Sequence, residues 1–358
     1  MSIRQIAKRA GFSPTTVSMA LRNSPKISSA TRVKIHRCAR QLSYRPDAKV
    51  SELMARLRSN RNGRGEACFA VISFYDSPRP WERTRHTTRI YQGMTEQATA
   101  LGYRLEPLLL RAPGMSPRRF RGILDARGIE GLLCFGSPDL SEELPDEFDH
   151  YAIVTVGSSM KTSLHRVTSH MFNDMTQALN EVCQRGYRRP GLVLGHDADM
   201  RSQHMYLSAY LGWCNYAFAG APIPVLRVRG IEVETLRPWL DRHQPDVLVF
   251  THSCDTVSQF AAVLHDQGVR VPDQIGVAVV AQILEGTGFS GMQQNHTVMG
   301  ARAIELLVGR IMNHDFGIPT SPRIEMVESQ WINGASLLQP KDFRRYPTQC
   351  RPERAPGA

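Results

Sequence analysis

Apolar residues at the start of the chain recur at helical spacing, in short blocks separated by breakers. Ile3, Ile6, Ala7 and Ala10 share one face of a helix that Ser2 is placed to cap and that Gly11 ends. Ser13 is a second N-cap, and Pro14 takes the first helical position, where its missing N–H costs nothing. In that helix Val17, Ala20 and Leu21 point inward, while Thr15, Thr16 and Met19 remain outside. A third helix, capped by Ser28 or Ser29, turns Ile35, Cys38 and Leu42 inward and leaves Arg32, Lys34, Arg37 and Arg40 more exposed. Two short helices, a tight turn and an exposed second helix form a helix-turn-helix. Tyr44-Arg45-Pro46-Asp47 breaks the pattern. Residues 48–58 then resume it, with Val50, Leu53, Met54 and Leu57 as an apolar stripe, and 60–65 reads as a flexible basic linker.

Behind the linker the period changes. Continuous apolar runs at 68–74, 102–110, 131–135 and 152–156 predict buried parallel strands, with helices at 89–100 and 120–126 between them. The pattern restarts with a helix at 172–185, followed by strands at 190–194, 224–228, 247–250 and 275–280. Further helices fall at 206–218 and 258–267. Alternation of this kind argues α/β architecture, with Rossmann-like sheets covered on both faces. Two successive units, each with a Gly-Tyr turn before a strand (Gly102-Tyr103, Gly186-Tyr187), suggest two lobes and a cleft between them.

Charge adds a partner. Residues 1–65 carry 15 Lys and Arg against 2 acids, a net +13, whereas the whole chain carries +11. The positive field therefore belongs to the N-terminal head, and its natural counterpart is double-stranded DNA. No stretch is apolar enough to span a membrane and the start shows no signal-peptide pattern, so a cytoplasmic location is expected. Seven cysteines without a CxxC pair read as reduced and mostly buried, with neither a metal site nor a cofactor. The chain shows no GxxxxGK[ST], HExxH, GxSxG or GxGxxG motif, and no catalytic residue is assigned.

Ile3 to Leu21, IRQIAKRAGFSPTTVSMAL, followed by Ile27-Ser28, Thr31-Arg32 and Leu42-Ser43-Tyr44-Arg45-Pro46, resembles the headpiece of the LacI/GalR family of bacterial transcription regulators. The likeness extends, more loosely, to about residue 338. It implies a homodimer on a near-palindromic operator, usually repressing, with a body of periplasmic-binding-protein type whose cleft takes a small effector. It also implies that Pro14, Thr15 and Met19 read bases and that Leu53 intercalates from a hinge helix. Met19 departs from the family, where arginine or histidine is frequent. The DNA-facing set is Ser13, Pro14, Thr15, Thr16, Ser18, Met19, Arg22, Lys26, Arg32, Tyr44, Arg45, Leu53 and Met54. Of these, Arg22, Lys26 and Arg32 suit phosphate neutralisation, and Met19 suits a thymine methyl.

The implied organisation is a headpiece at 1–47, then hinge and linker at 48–65. The first lobe takes 66–164 with 290–320, the second 165–289 with 321–340, and a disordered tail covers 341–358. In this arrangement a helix at 298–311 crosses back to the first lobe, and the strand 324–328 returns to the second. Ligands of open α/β sheets sit beyond the carboxyl ends of strands. That rule selects Tyr75, Trp81, Ser137, Arg201, Asp255 and Gln282 for the effector, with Asp76, Glu82, His196, Asp197, Gln293 and Gln294 nearby. By resemblance, Arg201 and Asp255 would hold sugar hydroxyls. The segment 76–89, DSPRPWERTRHTTR, is long and basic; it favours an acidic effector, caps the cleft, or is exposed loop. Val279-Val280-Ala281-Gln282 lacks the carboxylates usual at that place in the family, so the effector's identity stays open between a sugar and an acidic metabolite. The alternatives are a DNA-binding regulator without small-molecule control and an α/β enzyme with an appended DNA-binding head.

Overall fold

The computed structural model describes residues 3–21, 27–42, 44, 67–217, 222–229, 233–281 and 286–338. Ser2, Arg22, Lys26, Arg45, Gln282, the hinge stripe with Leu53 and Met54, the linker and the 341–358 tail lie outside the described residues.

The head is three helices, α1 (Ile3–Ala10), α2 (Pro14–Leu21) and α3 (Ser29–Gln41). Its core is Ile6, Val17 and Ile35, each fully buried, with Ala7, Ala10, Ala20 and Ala39 filling between them. Gly11 has φ 75°, which lets the turn after α1 bond back to the Ala7 carbonyl.

The body runs β1 (Ala67–Ser73), a 3₁₀ turn (Pro80–Arg83), α4 (Arg85–Ala100), β2 (Tyr103–Leu109), α5 (Pro117–Ala126), β3 (Gly131–Cys134), β4 (Ala152–Val156) and β5 (His165–Ser169). It continues through α6 (Met171–Gln184), β6 (Pro190–Gly195), α7 (His196–Arg201), α8 (Met205–Ala217), β7 (Leu226–Val228), α9 (Val233–His243), β8 (Val247–Phe250), α10 (Cys254–Asp266) and β9 (Gly276–Val279). The last elements are β10 (Ser290–Gln293), α11 (His296–Met312), β11 (Ile324–Val327) and β12 (Gln330–Ile332). Two six-stranded sheets result, ordered β11-β5-β4-β3-β1-β2 and β12-β10-β9-β8-β6-β7. All neighbours pair in parallel except β10 and β12. Each sheet carries apolar layers on both faces. In the first, Ala70 and Ile72 face Phe120 and Leu124, while Phe69 and Val71 face Met94, Ala303 and Leu307. Each fully buried large side chain of this kind contributes about 1.5–3 kcal/mol.

Several expectations change. The strand near 324–328 joins the first lobe, with Ile324 opposite Arg166, and β12 is the strand that returns to the second. β5 also belongs to the first sheet and β10 to the second, so the crossings fall near 170, 294 and 328 and the lobe boundaries at 164/165, 289/290 and 320/321 are displaced. The sequence HRVTS hid β5 because polar residues interrupt it, although all five residues are buried. α9 was hidden by Pro238, which its interior tolerates, and α7 is too short to show a period. Helix α11 does cross back to the first lobe, packing on α4 so closely that a Cβ on Gly300 would lie 2.0 Å from the Ile90 carbonyl oxygen. Cys38, Cys68, Cys134, Cys214 and Cys254 are free, but Cys183 is disulfide-bonded, so the reading of every cysteine as reduced fails there.

Candidate functional site

The head presents one face of α2. Ser13, Pro14 and Thr15 are exposed; Thr16, Ser18 and Met19 are half-buried at its margin. Ser13 Oγ accepts from the Thr16 amide at 3.1 Å and lies 2.8 Å from Thr16 Oγ1. These two hydroxyls are therefore engaged with each other as a helix cap, and Thr15 is the freer group. Arg32 is half-buried and donates to the Ile27 carbonyl at 3.1 Å, fastening the approach to α3. That contact turns one edge of its guanidinium away from a phosphate. Tyr44 donates its amide to Ala39 and packs against the head core. Lys34, Arg37 and Arg40 stay exposed along α3.

In the body, strand ends of the two lobes face each other across a cleft. A cavity of about 320 Å³ opens there, lined by Arg83, Thr84, Arg85 and His86 of the first lobe and by Ser253, Cys254 and Asp255 of the second. Of the residues expected at the effector, Asp255 reaches this cavity. Tyr75 is half-buried beside it, its ring 5.7 Å from the Arg83 guanidinium. Asp76 pairs with Arg83, and Glu82 with Arg79 at 3.4 Å. His196 and Asp197 are exposed, and Gln293 is half-buried in β10.

Three expected effector contacts are otherwise employed. Trp81 is only 2% exposed, stacked on Tyr91 at 4.0 Å and edge-on to Phe135, so it belongs to the first lobe's core. Ser137 is fully buried; its Oγ accepts from the Asp139 amide and its own amide donates to Ser159 Oγ. Arg201 crosses the cleft and donates to the Ser137 carbonyl at 2.9 Å and the Pro138 carbonyl at 3.0 Å. It is a clasp between lobes: two of its guanidinium N–H groups donate to main-chain oxygen of the opposite lobe.

The crossings themselves are bound by polar contacts. Glu328 accepts from Asn173 Nδ2 at 2.6 Å and pairs with His170 Nδ1 at 2.9 Å, while its carbonyl accepts from Asn295. The His170 contact, more than any other, holds the Glu328 carboxyl below its ordinary range. Gln294 is buried, donates to Tyr206 Oη and Asp174 Oδ2, and lies 3.2 Å from His296 Nε2, so it serves the hinge. Burial pushes Asp174 up to about 6.

Histidines mark the cleft more strongly than composition suggested. Burial lowers His86 to about 4, His252 to about 4 and His296 to about 3, so all three stay neutral near pH 7. Both ring nitrogens of His252 are shielded from solvent and lack a hydrogen-bond partner, as does Nδ1 of His296. Their sequence signal was weak, because a histidine next to a strand end is usually only solvated. No group of His, Cys, Asp and Glu among the described residues is arranged to hold a metal ion. Nor is any described helix long and apolar enough to cross a membrane.

Residues 2–47 match the family model of bacterial regulatory proteins, lacI family. Among curated proteins, the chain is 22% identical over 294 residues to the HTH-type transcriptional repressor CytR of Escherichia coli (strain K12), covering 77% of this chain and 78% of that one. It is 20% identical over 335 residues to the repressor PurR of Haemophilus influenzae, covering 91% and 95%. Among solved structures, a transcriptional regulator CelR–cellobiose complex superposes with TM-score 0.58 at 22% identity, over 94% of this chain and 99% of that one. The lac repressor dimer bound to operator and the anti-inducer ONPF gives TM-score 0.58 at 13% identity, over 95% and 99%. The helix-turn-helix head at residues 2–47 therefore matches the lacI family model, relatives at 20–22% identity extend over the two-lobed body, and that body shares the fold of these solved structures.

Proposed function

We propose that the protein is a cytoplasmic, non-enzymatic repressor that binds a near-palindromic operator as a homodimer and answers to a small effector held between its lobes. The observation that carries this reading is the pairing of an exposed α2 face with a two-lobed body. Thr15 projects from that face, and the body's lobes are bridged by Arg201 and enclose a cavity. Thr15 and Met19 would read base edges, with Pro14 setting the start of the reading helix. Lys34, Arg37 and Arg40 would neutralise phosphates, as would Arg22, Lys26 and Arg45. The hinge stripe with Leu53 and Met54 would enter the minor groove and stabilise a kinked duplex through the contacts it permits.

In the body, effector binding would compete with or reinforce the Arg201 clasp, and so alter the angle between lobes that sets the spacing of the two heads. A ligand shifts such an equilibrium only by its differential affinity for the two arrangements. The names of the relatives support repression, and the cellobiose complex supports a sugar-sized occupant of such a cleft. Selection of random duplexes by the purified full-length chain, followed by sequencing, tests the reading. It should return a two-fold-symmetric consensus. Recovery of unenriched DNA at moderate salt would refute it.

A further inference from the structure

The helix α2 is short, and its two ends are held by different means. At the N-terminus Ser13 Oγ accepts from the Thr16 amide at 3.1 Å. At the other end the last carbonyls of any helix have no partner within it and must find a donor elsewhere. α2 has no basic residue in its last turn to serve them. The donor comes from α3: His36 Nε2 lies 3.1 Å from the carbonyl oxygen of Ala20, sixteen residues earlier and in the last turn of α2. A carbonyl oxygen carries no proton, so the imidazole donates, and in the neutral ring Nε2 is the protonated nitrogen. His36 is half-buried and Ala20 fully buried, so little water is at hand to replace the bond. A second tie from α3 meets the turn before α2, where Lys34 Nζ stands 5.3 Å from the centre of the Phe12 ring.

The two residues that face outward from α2 stand at different distances from these ties. Thr15 lies in the first turn, beside the Ser13 cap; Met19 lies one turn further on, next to Ala20. A helix fastened at one end alone can swing about that end, and the displacement grows along its length. The His36 bond therefore controls the aim of Met19 more than that of Thr15. Resting on the regulator reading above, we propose that His36 is a positioning residue for operator recognition: acting through the Ala20 carbonyl, it fixes the angle at which α2 enters the groove and so the base preference opposite Met19. Binding without sequence preference rests on charge and is carried by other side chains.

Duplex selection by the full-length protein tests this, together with anisotropy titrations on the selected operator and on a scrambled duplex of equal length. Recovery of a symmetric operator by the wild-type chain is read first, so that failure of the regulator reading and failure of the role of His36 are separate results. H36L keeps bulk and removes the donor, whereas H36Q keeps an N–H able to reach the carbonyl. H36L should lower the ratio of operator to scrambled affinity about tenfold, the scale of one hydrogen bond whose buried acceptor is left unpaired. The base position that M19A flattens should also flatten in H36L, while the position that T15A flattens stays sharp. Scrambled-duplex affinity and the salt slope should be unchanged, since no phosphate contact is lost, and H36Q should recover the ratio to within about threefold of wild type. A ratio unchanged in H36L, equal flattening at every position, an H36Q chain no better than H36L, or an M19A logo identical to wild type overturns the proposal. A salt slope reduced by about 1 in H36L would reveal a direct phosphate contact and overturn it as well. If H36L unfolds the head, seen as equal loss on both duplexes, H36N takes its place: polar but too short to reach Ala20, it should show the same selective flattening, and a wild-type logo in H36N overturns the proposal.

Discussion

Arg201 is the position where a substitution most directly tests how the lobes are coupled. Its guanidinium donates to two carbonyls of the opposite lobe, at 2.9 and 3.0 Å, from a half-exposed position. A hydrogen bond from a charged group is worth about 1.5–3 kcal/mol when shielded, and solvent competes for both partners here, so the clasp as a whole is worth about 1–2 kcal/mol. Removing it in R201A should shift the ratio of clasped to parted lobes by a factor of about 5–30. Hydrogen exchange is the appropriate assay, because amide protection reports the opening equilibrium of each segment. Protection should fall by that factor in the segments 136–139 and 196–202 and remain unchanged in the strands of either core. R201K, with a single ammonium in place of a fork, should lie between the two. Equal exchange in wild type and R201A across 136–139, with the fold intact, would show that the clasp does not hold the lobes together.

Further expectations can be checked in parallel. Gly300→Ala places a methyl 2.0 Å from a main-chain oxygen of α4, forcing apart two helices of the first lobe; a loss of about 1–3 kcal/mol is expected by calorimetry, and an unchanged Tm would contradict the close approach. In the head, T15A and M19A should flatten base preference by about 1–3 kcal/mol at their positions, whereas R37Q should weaken all duplexes alike and reduce the salt slope by about 1. Identical sequence logos for T15A, M19A and wild type would remove these side chains from base reading. Acid should destabilise the body: His86, His252 and His296 are held below the ordinary 6.5, so the unfolded chain binds protons that the folded one refuses as pH falls from 6.5 toward 4. Asp174, raised to about 6, opposes this between about 6 and its ordinary 3.8, since the folded state holds that proton more firmly. The histidines outnumber it, and H296Q should relieve part of the acid loss, on the order of 3 kcal/mol for so buried a ring. An acid limb of the stability curve identical in H296Q and wild type would count against a neutral buried imidazole there.

Legibility differed between the regions for physical reasons. Ile6, Val17 and Ile35 could be placed inside the head because helical spacing and the caps at Ser13 and Ser28 are local signals. β1, β3, β4 and β8 were legible because a strand buried on both faces needs an unbroken apolar run. β5 carries polar residues at buried positions and escaped that rule. Trp81 read as part of a basic loop because its partners, Tyr91 and Phe135, come from other elements and only folding brings them to it. Ser137 and Arg201 were both identified as strand-end residues of the cleft, but their mutual contact was not, because it joins residues 64 positions apart on different lobes.

The amino-acid order alone determined the helical head, the placement of positive charge at one end and the two successive α/β units, because period, capping and charge are properties of neighbouring residues. Which strands share a sheet, where the chain crosses between lobes, and that Arg85 faces Asp255 while Arg201 grips a carbonyl, were decided only by tertiary structure. Those meetings join residues far apart in the chain, and no local pattern encodes the distance between them.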